Sequence, residues 1–442
     1  MKPVNLPQAD EASIDWRKFE GRELTICWPI HPTFETLKNL CPEFEKLTGI
    51  RLHVEEEPES EWSRAVQSNL TSGKKVYDVI ACASLFTWSW APIGLLEPLD
   101  KYLKDPSLTD AGWYDFRDFP DSVMKICRWP GEPGASEGKG KLWMIPYMME
   151  TSILAYREDA LERLGLNPPD SWEDLLEAVK AINAKSGELG LRPLILRGAR
   201  FLIAIGAYPS VLAGYGARDL DENLKPLYTR SEFVEASRIY VDIMKNGCPP
   251  FQEFSKVSWT DVIDLMAGGG YALTIDCDFF AYIWENPEKS KVSGKLSYAP
   301  VPKGPAGRGS KIWAWSLAIP SLSRNKEAAW LFIEWATSKQ TLLSAALRGN
   351  YVPPRRSVLE SEEIKEITSK WGGGTWVKAV EETYSKYAIG SFFTPLPQQM
   401  DLINLLSNAL WTALKEETPI ERALKNAEVD AEKILREAGL LR

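Results

Sequence analysis

Leu24-Thr25-Ile26-Cys27-Trp28, Ile50-Arg51-Leu52-His53-Val54 and Tyr77-Asp78-Val79-Ile80-Ala81 are three short runs of strand-forming residues, and what separates them decides the fold class. After the first, the loop Pro29-Ile30-His31-Pro32 leads into a helix over 33–47. Its Phe34, Leu37, Leu40, Phe44 and Leu47 recur at helical spacing on one stripe, and Gly49 closes it. A second helix covers 60–70. Strand, helix, strand, helix, strand is the order of a parallel sheet covered by helices, so the class is α/β. Such sheets place ligands beyond the carboxyl ends of their strands.

Working outward, 129–138 is a loop on its Pro and Gly content, and two short strands at 142–146 and 151–156 flank Tyr147. Ser171 caps a helix with Asp174 three residues on, and Leu175, Leu176, Val179 and Ile182 form its apolar face. Helices follow near 230–246, 258–267 and 325–338, with strands at 271–275, 296–301 and 313–319. An amphipathic helix over 419–438 ends at Gly439. No internal repeat is apparent.

At 442 residues the chain exceeds one compact core, so two packed bodies or one unusually large domain are expected. The net charge of −9 argues against a nucleic-acid surface, which needs a basic stripe. Two histidines, His31 and His53, and six cysteines (27, 41, 82, 127, 248 and 277) show no C-x-x-C spacing, so no metal site is expected. Six cysteines allow 15 disulfide connectivities, and buried free thiols fit equally well. No apolar stretch follows Met1, so no secretory signal is read there. The uncharged stretches 79–96 and 201–217 are broken by Pro and Gly and read as buried or cleft-lining segments, not membrane spans. Tryptophan is over-used, with 18 copies, which raises the question of how many face a ligand.

Ordered pieces across most of the chain carry a resemblance. They include Tyr77-Asp78-Val79-Ile80 with Gly94-Leu95-Leu96-Glu97-Pro98-Leu99-Asp100, then Leu142-Trp143-Met144-Ile145-Pro146-Tyr147 leading to Ala155-Tyr156-Arg157. Pro169-Asp170-Ser171-Trp172-Glu173-Asp174-Leu175 and Met266-Ala267-Gly268-Gly269-Gly270-Tyr271-Ala272 come next, followed by Pro302-Lys303-Gly304-Pro305-Ala306-Gly307. Trp315-Ser316-Leu317-Ala318-Ile319-Pro320, Asn325-Lys326-Glu327-Ala328-Ala329-Trp330 and Pro353-Pro354-Arg355-Arg356-Ser357-Val358-Leu359 finish the set. In this order they resemble the extracellular solute-binding proteins of ABC importers, the group that includes maltodextrin- and glycerol-phosphate-binding proteins.

The resemblance implies a type II periplasmic binding protein fold, two α/β lobes with a hinge and an interlobe ligand cleft. Carried onto this chain, the lobes would be 1–148 plus 296–336 and 149–295 plus 337–442. The crossings would lie near 147–151, 294–298 and 336–340. It further implies capture of a carbohydrate or polyol by lobe closure and delivery to membrane permease subunits, by a monomer outside the membrane, without cofactor, metal or catalysis.

Sugars combine apolar faces with rings of hydroxyls, so a site needs flat aromatics beside carboxylates and Arg. Trp313 and Trp315 share one side of a strand; Trp315 matches the family's motif and is favoured for the cleft. Trp28 and His31 follow the first strand; Ser84, Phe86 and Trp88 follow the third, and for each, wall packing competes with contact. Tyr147 and Glu150 sit at a crossing, where ligand contact and a hinge role are alternatives. Asp276 and Asp278 could clasp hydroxyls or be solvated. Arg355, Arg356 or Arg200 could meet an anionic ligand such as a sugar phosphate or sugar acid. Trp172, Trp330, Trp335 and Trp411 lie on apolar helix stripes and are read as core.

Rival readings are a carbohydrate-active hydrolase and a surface scaffold. Gly134-Ala135-Ser136-Glu137-Gly138 has the G-x-S-x-G pattern, but in a loop where that motif needs a strand before and a helix after. Gly138-Lys139 is followed by Gly140, so no phosphate loop is formed.

Overall fold

The computed structural model describes residues 8–349 and 352–441, and in chain order its principal elements begin with β1 (Glu23–Pro29), α1 (Pro32–Thr48), β2 (Arg51–Glu57) and α2 (Glu59–Ser72). Then come β3 (Val79–Cys82), α3 (Ser84–Trp90), β4 (Ile145–Arg157), α4 (Trp172–Ala184), β5 (Arg192–Ile195) and α5 (Ser231–Gly247). The chain closes with β6 (Tyr271–Cys277), β7 (Leu296–Pro300), β8 (Ile312–Ala318), α6 (Lys326–Ala336), α7 (Gln399–Leu414) and α8 (Ile420–Glu437).

The chain divides into two units. The first holds 1–150, 313–366 and 395–397, and the second holds 151–312, 367–394 and 398–442. In the first, β1 lies between β2 and β3, parallel to both, with Ile26 opposite Val54 and Val79. β8 adds to β3 antiparallel, Leu317 opposite Ala81. Leu37, Leu40 and Phe44 of α1 are buried, as their stripe requires. Gly49 ends α1 at φ 71°, where a Cβ would also meet Glu20 Cγ at 2.7 Å, so any other residue would be both strained and crowded.

In the second unit β6 lies between parallel β5 and the antiparallel second half of β4, and β7 pairs that half's other edge. Leu154 faces Ile275 on one side and Ala299 on the other. Ser171 and Asp174 form the expected reciprocal cap of α4.

Three expectations change. The strands around Tyr147 are one continuous strand, buried almost throughout. Residues 296–312 belong with the second unit, because β7 pairs Ile153 to Arg157. Residues 337–366 belong with the first, where Met149 donates its amide to the Val352 carbonyl at 3.2 Å. The chain therefore crosses at 150/151, 312/313 and 366/367, with a brief return to the first unit at 395–397.

Inside the second unit, two of these crossing segments are stitched together. The Ser310 hydroxyl donates to the Ser152 carbonyl at 2.9 Å and accepts the Ser152 amide at 3.1 Å, and Thr151 Oγ1 lies 2.8 Å from it. All six cysteines are free thiols, and burial pushes Cys27, Cys41 and Cys82 up to about 12. Among the described residues no helix is long and apolar enough to cross a membrane, and no cluster of His, Cys, Asp or Glu could hold a metal ion.

Candidate functional site

Each unit gathers chemistry at the carboxyl ends of its parallel strands. In the first, the residues after β1 and β3 and those of β8 assemble an aromatic cluster. Phe34 of α1 is its hub: Trp28 stacks on it at 5.4 Å, Tyr147 at 6.3 Å, and Trp315 meets it edge-on at 5.7 Å. Phe86 stacks on Trp315 at 6.2 Å and meets Trp313 edge-on at 6.3 Å. Trp313 and Trp315 are themselves 5.5 Å apart.

Exposure separates wall from face. Trp28 and Tyr147 are wholly buried and Trp315 is 3% exposed, whereas Trp313 is half-buried. Trp315 is enclosed by His31, Phe34, Trp62 and Phe86, so Trp313, which the family motif did not favour, presents the open ring. Trp88 is buried in α3 and Ser84 spends its hydroxyl on the Ile126 carbonyl at 3.4 Å, so both read as support.

Polar groups here are oriented. His31 caps α1 by accepting the Thr33 amide on Nδ1 at 3.1 Å, which assigns its proton to Nε2. The Thr36 hydroxyl donates to the Thr33 carbonyl at 2.6 Å, so across the 3.1 Å contact with Thr36 it is Tyr147 that donates. Glu150, which ends the first of this unit's three segments, is 7% exposed.

In the second unit the focus is Asp276 on β6. Arg197, two residues beyond β5, grips it: Nε reaches both carboxylate oxygens at 3.0 Å and Nη2 reaches Oδ1 at 2.5 Å. Nη2 also contacts Cys277 Sγ at 2.9 Å, and the guanidinium carbon lies 5.8 Å from the Phe280 ring centre. Both side chains are almost fully buried. Beside them Asp278, with no exposure, accepts the Thr151 amide at 3.3 Å, and Trp376 Nε1 donates to its carbonyl at 2.9 Å. Arg197 was missed in the sequence, although its place just past a parallel strand marks it by the same rule that marks Trp28.

The expected arginines lie elsewhere. Arg355 is wholly buried in the first unit, donating to the carbonyls of Thr337 (2.9 Å) and Asp115 (2.8 Å) over the Phe119 ring at 4.0 Å. That is core packing. Arg200 is exposed and lies over Trp411 at 5.2 Å, and Arg356 donates to the Arg117 carbonyl at 2.8 Å. Ser136 stays in a loop, without the strand and helix a nucleophile elbow needs.

Known proteins are similar to this chain in sequence and fold. The erythritol/L-threitol-binding protein of Mycolicibacterium smegmatis is 28% identical over 368 residues, 81% of this chain and 76% of that protein. A solute-binding protein of an ABC transporter from Agrobacterium vitis S4, solved with bound D-mannitol, matches with a TM-score of 0.77 at 27% identity over 95% of this chain and 99% of its own. Another from Agrobacterium radiobacter K84, in complex with ribitol, has a TM-score of 0.82 over 94% and 99% of the two chains; at 22% identity that likeness is one of fold. The fold is thus that of the type II periplasmic binding proteins, and residues 28–341 match the bacterial extracellular solute-binding proteins as a family. Two α/β units with their chemistry at the carboxyl ends of the strands, and a match over most of the length, make this chain a member of the bacterial extracellular solute-binding protein family.

Proposed function

We propose that the chain is the capture component of an ABC importer whose ligand is a small uncharged polyol or sugar. The observation that carries this reading is the Arg197–Asp276 pair at the carboxyl ends of β5 and β6. A guanidinium locked to a carboxylate offers donors and acceptors to vicinal hydroxyls while its net charge is cancelled. An anionic ligand would need an uncompensated cation there. Arg355 is in the core and Arg200 lies on Trp411, so neither supports a sugar phosphate or sugar acid. In the first unit, the open Trp313 ring suits the C–H face of a polyol chain or sugar. Relatives and neighbours named for erythritol, L-threitol, mannitol and ribitol support the same ligand class.

Site residues in this reading are Trp313, His31, Tyr147 and Glu150 on one unit and Asp276, Asp278 and Arg197 on the other, with Trp28, Ser84, Trp88 and Trp315 as walls. Capture in this reading is a population shift toward the conformation that binds the ligand best. The protein acts as a monomer outside the cytoplasmic membrane and passes its ligand to permease subunits, without turnover. Asp276 and Asp278 suit a hydrolase poorly, since one is neutralised by Arg197 and the other is fully enclosed.

A thermal-shift series with erythritol, L-threitol, ribitol and mannitol tests this. A ligand at a hundred times its Kd adds about 2.7 kcal/mol of stability, a rise of several degrees in Tm, and chromatography should find it unchanged. Silence from every polyol and sugar, or a shift from sugar phosphates alone, would overturn the reading. Trp313→Ala should weaken binding about 10- to 100-fold by calorimetric titration while moving Tm little, because the ring is half-buried.

A further inference from the structure

The opposite end of the first unit's sheet carries a second feature. β1 begins at Glu23 just after Arg22, and β8 runs antiparallel to β3, so the start of α6 lies toward the amino ends of β1 and β3. There the first unit has a solvent-open cavity of about 680 Å³. On a chain of net charge −9, four cations line it, Arg22, Lys101, Arg324 and Lys326, against the carboxylates of Asp105 and Glu327. Phe19 and Tyr102 supply aromatic wall.

The cations are placed, not scattered. Arg22 donates to Asn325 Oδ1 at 3.0 Å and its guanidinium lies 5.4 Å from the Phe19 ring centre. Lys101 and Lys326 converge on Glu97 at 2.6 and 3.8 Å. Arg324 is exposed and has no ion-pair or hydrogen-bond partner among the described residues. The Asn325 side chain leaves α6 uncapped, and the first backbone bond into the helix comes only from the Ala329 amide. Lys326, Glu327 and Ala328, whose amides precede the first turn's closing bond, all line this cavity.

We propose that this cavity is a phosphoryl-anion site, separate from the polyol site. Two guanidinium groups, with two ammonium groups that share the one Glu97 carboxylate, match the several oxygens of a phosphoryl anion better than a single carboxylate, and the volume admits more than one phosphoryl group. Its source is either a free diphosphate or an anionic lipid headgroup. Leu322, 43% exposed, adjoins the cavity residue Ser323 and reaches toward Gly73, next to Lys74-Lys75-Val76.

The test uses the full chain at constant ionic strength, titrated calorimetrically with inorganic pyrophosphate and sedimented with vesicles of phosphatidylglycerol in phosphatidylcholine. Saturable 1:1 pyrophosphate binding, weakened at least tenfold by Arg324→Glu with the polyol response intact, is the expected result. Vesicle binding that pyrophosphate competes away, or that Arg324→Glu abolishes, assigns the headgroup source; pyrophosphate binding with vesicles ignored assigns the free anion. Binding to neither probe, or binding that Arg324→Glu leaves unchanged, overturns the proposal. Far-UV circular dichroism checks the fold of that variant, and Arg324→Gln replaces it if the charge reversal disturbs folding.

Discussion

Asp276→Ala is expected to cost the protein about 3–5 kcal/mol and to abolish polyol binding. The carboxylate is 3% exposed and holds Arg197 by three contacts of 2.5–3.0 Å, so truncation takes this carboxylate away from a buried guanidinium. Asp276 Oδ1 also accepts the Cys277 amide at 2.8 Å, which loses its partner too. The larger part of the loss is the charge compensation that Asp276 gives Arg197, since burying a charge is unfavourable unless it is paired. The double replacement Arg197→Met with Asp276→Leu separates stability from function. Removing both charges should restore most of the stability, because apolar side chains of similar volume replace buried ion pairs at little cost. It should not restore binding. Urea denaturation reads the first quantity and titration with erythritol or mannitol the second. A single variant within 1 kcal/mol of the parent, or a double variant that still binds, would remove the pair from the site.

Glu334→Gln is expected to make the protein more stable above neutral pH and to flatten its pH dependence. Glu334 lies on α6 with no exposure, and neither carboxylate oxygen has a hydrogen-bond partner among the described residues. Burial, with the Asp110 carboxylate adding to it, pushes Glu334 up to about 9, and the nearby Arg355 guanidinium offsets only part of this. The folded state thus keeps a proton that the unfolded chain releases near its ordinary value of 4.5. Between those values the native state binds more protons, so stability falls as pH rises, by up to about 1.4 kcal/mol per unit. It is fully present below pH 4.5 and lost progressively toward 9. The glutamine mimics the protonated acid, so the variant should match the parent near pH 5 and exceed it by a few kcal/mol near pH 8. Urea midpoints for both proteins across pH 5–9 check this, and two parallel curves would refute it.

Much of the first unit was legible because its signals are local. The stripe Phe34, Leu37, Leu40 and Phe44 needs only helical periodicity, and Ser171 with Asp174 needs only the spacing of a capping box. Trp172, Trp330 and Trp335 are buried as their stripes imply, whereas Trp411 is half-buried, with its Nε1 on the Gly198 carbonyl at 2.8 Å and Arg200 over its ring. The aromatic cluster was partly legible: Trp28, His31, Tyr147, Trp313 and Trp315 do come together, because each follows or lies on a strand of the same sheet end. Which of them faces outward was not. Trp313 and Trp315 share one side of β8, and only Phe34, Trp62 and Phe86, brought in from α1, α2 and α3, decide that Trp315 is the enclosed ring.

Arg197 and Arg355 show the same limit. One follows a strand whose partner is 79 residues away, and the other is drawn into a core by carbonyls 18 and 240 residues distant. By itself the sequence determined the α/β class, the helix stripes and caps, and the family, all of which rest on neighbours along the chain or on the order of motifs. Only the tertiary structure decided which arginine meets a carboxylate, which tryptophan keeps an open face, and that 296–312 joins the second unit. Those outcomes depend on burial and pairing between distant segments, and a charge or ring acquires its role only when another surface removes it from water.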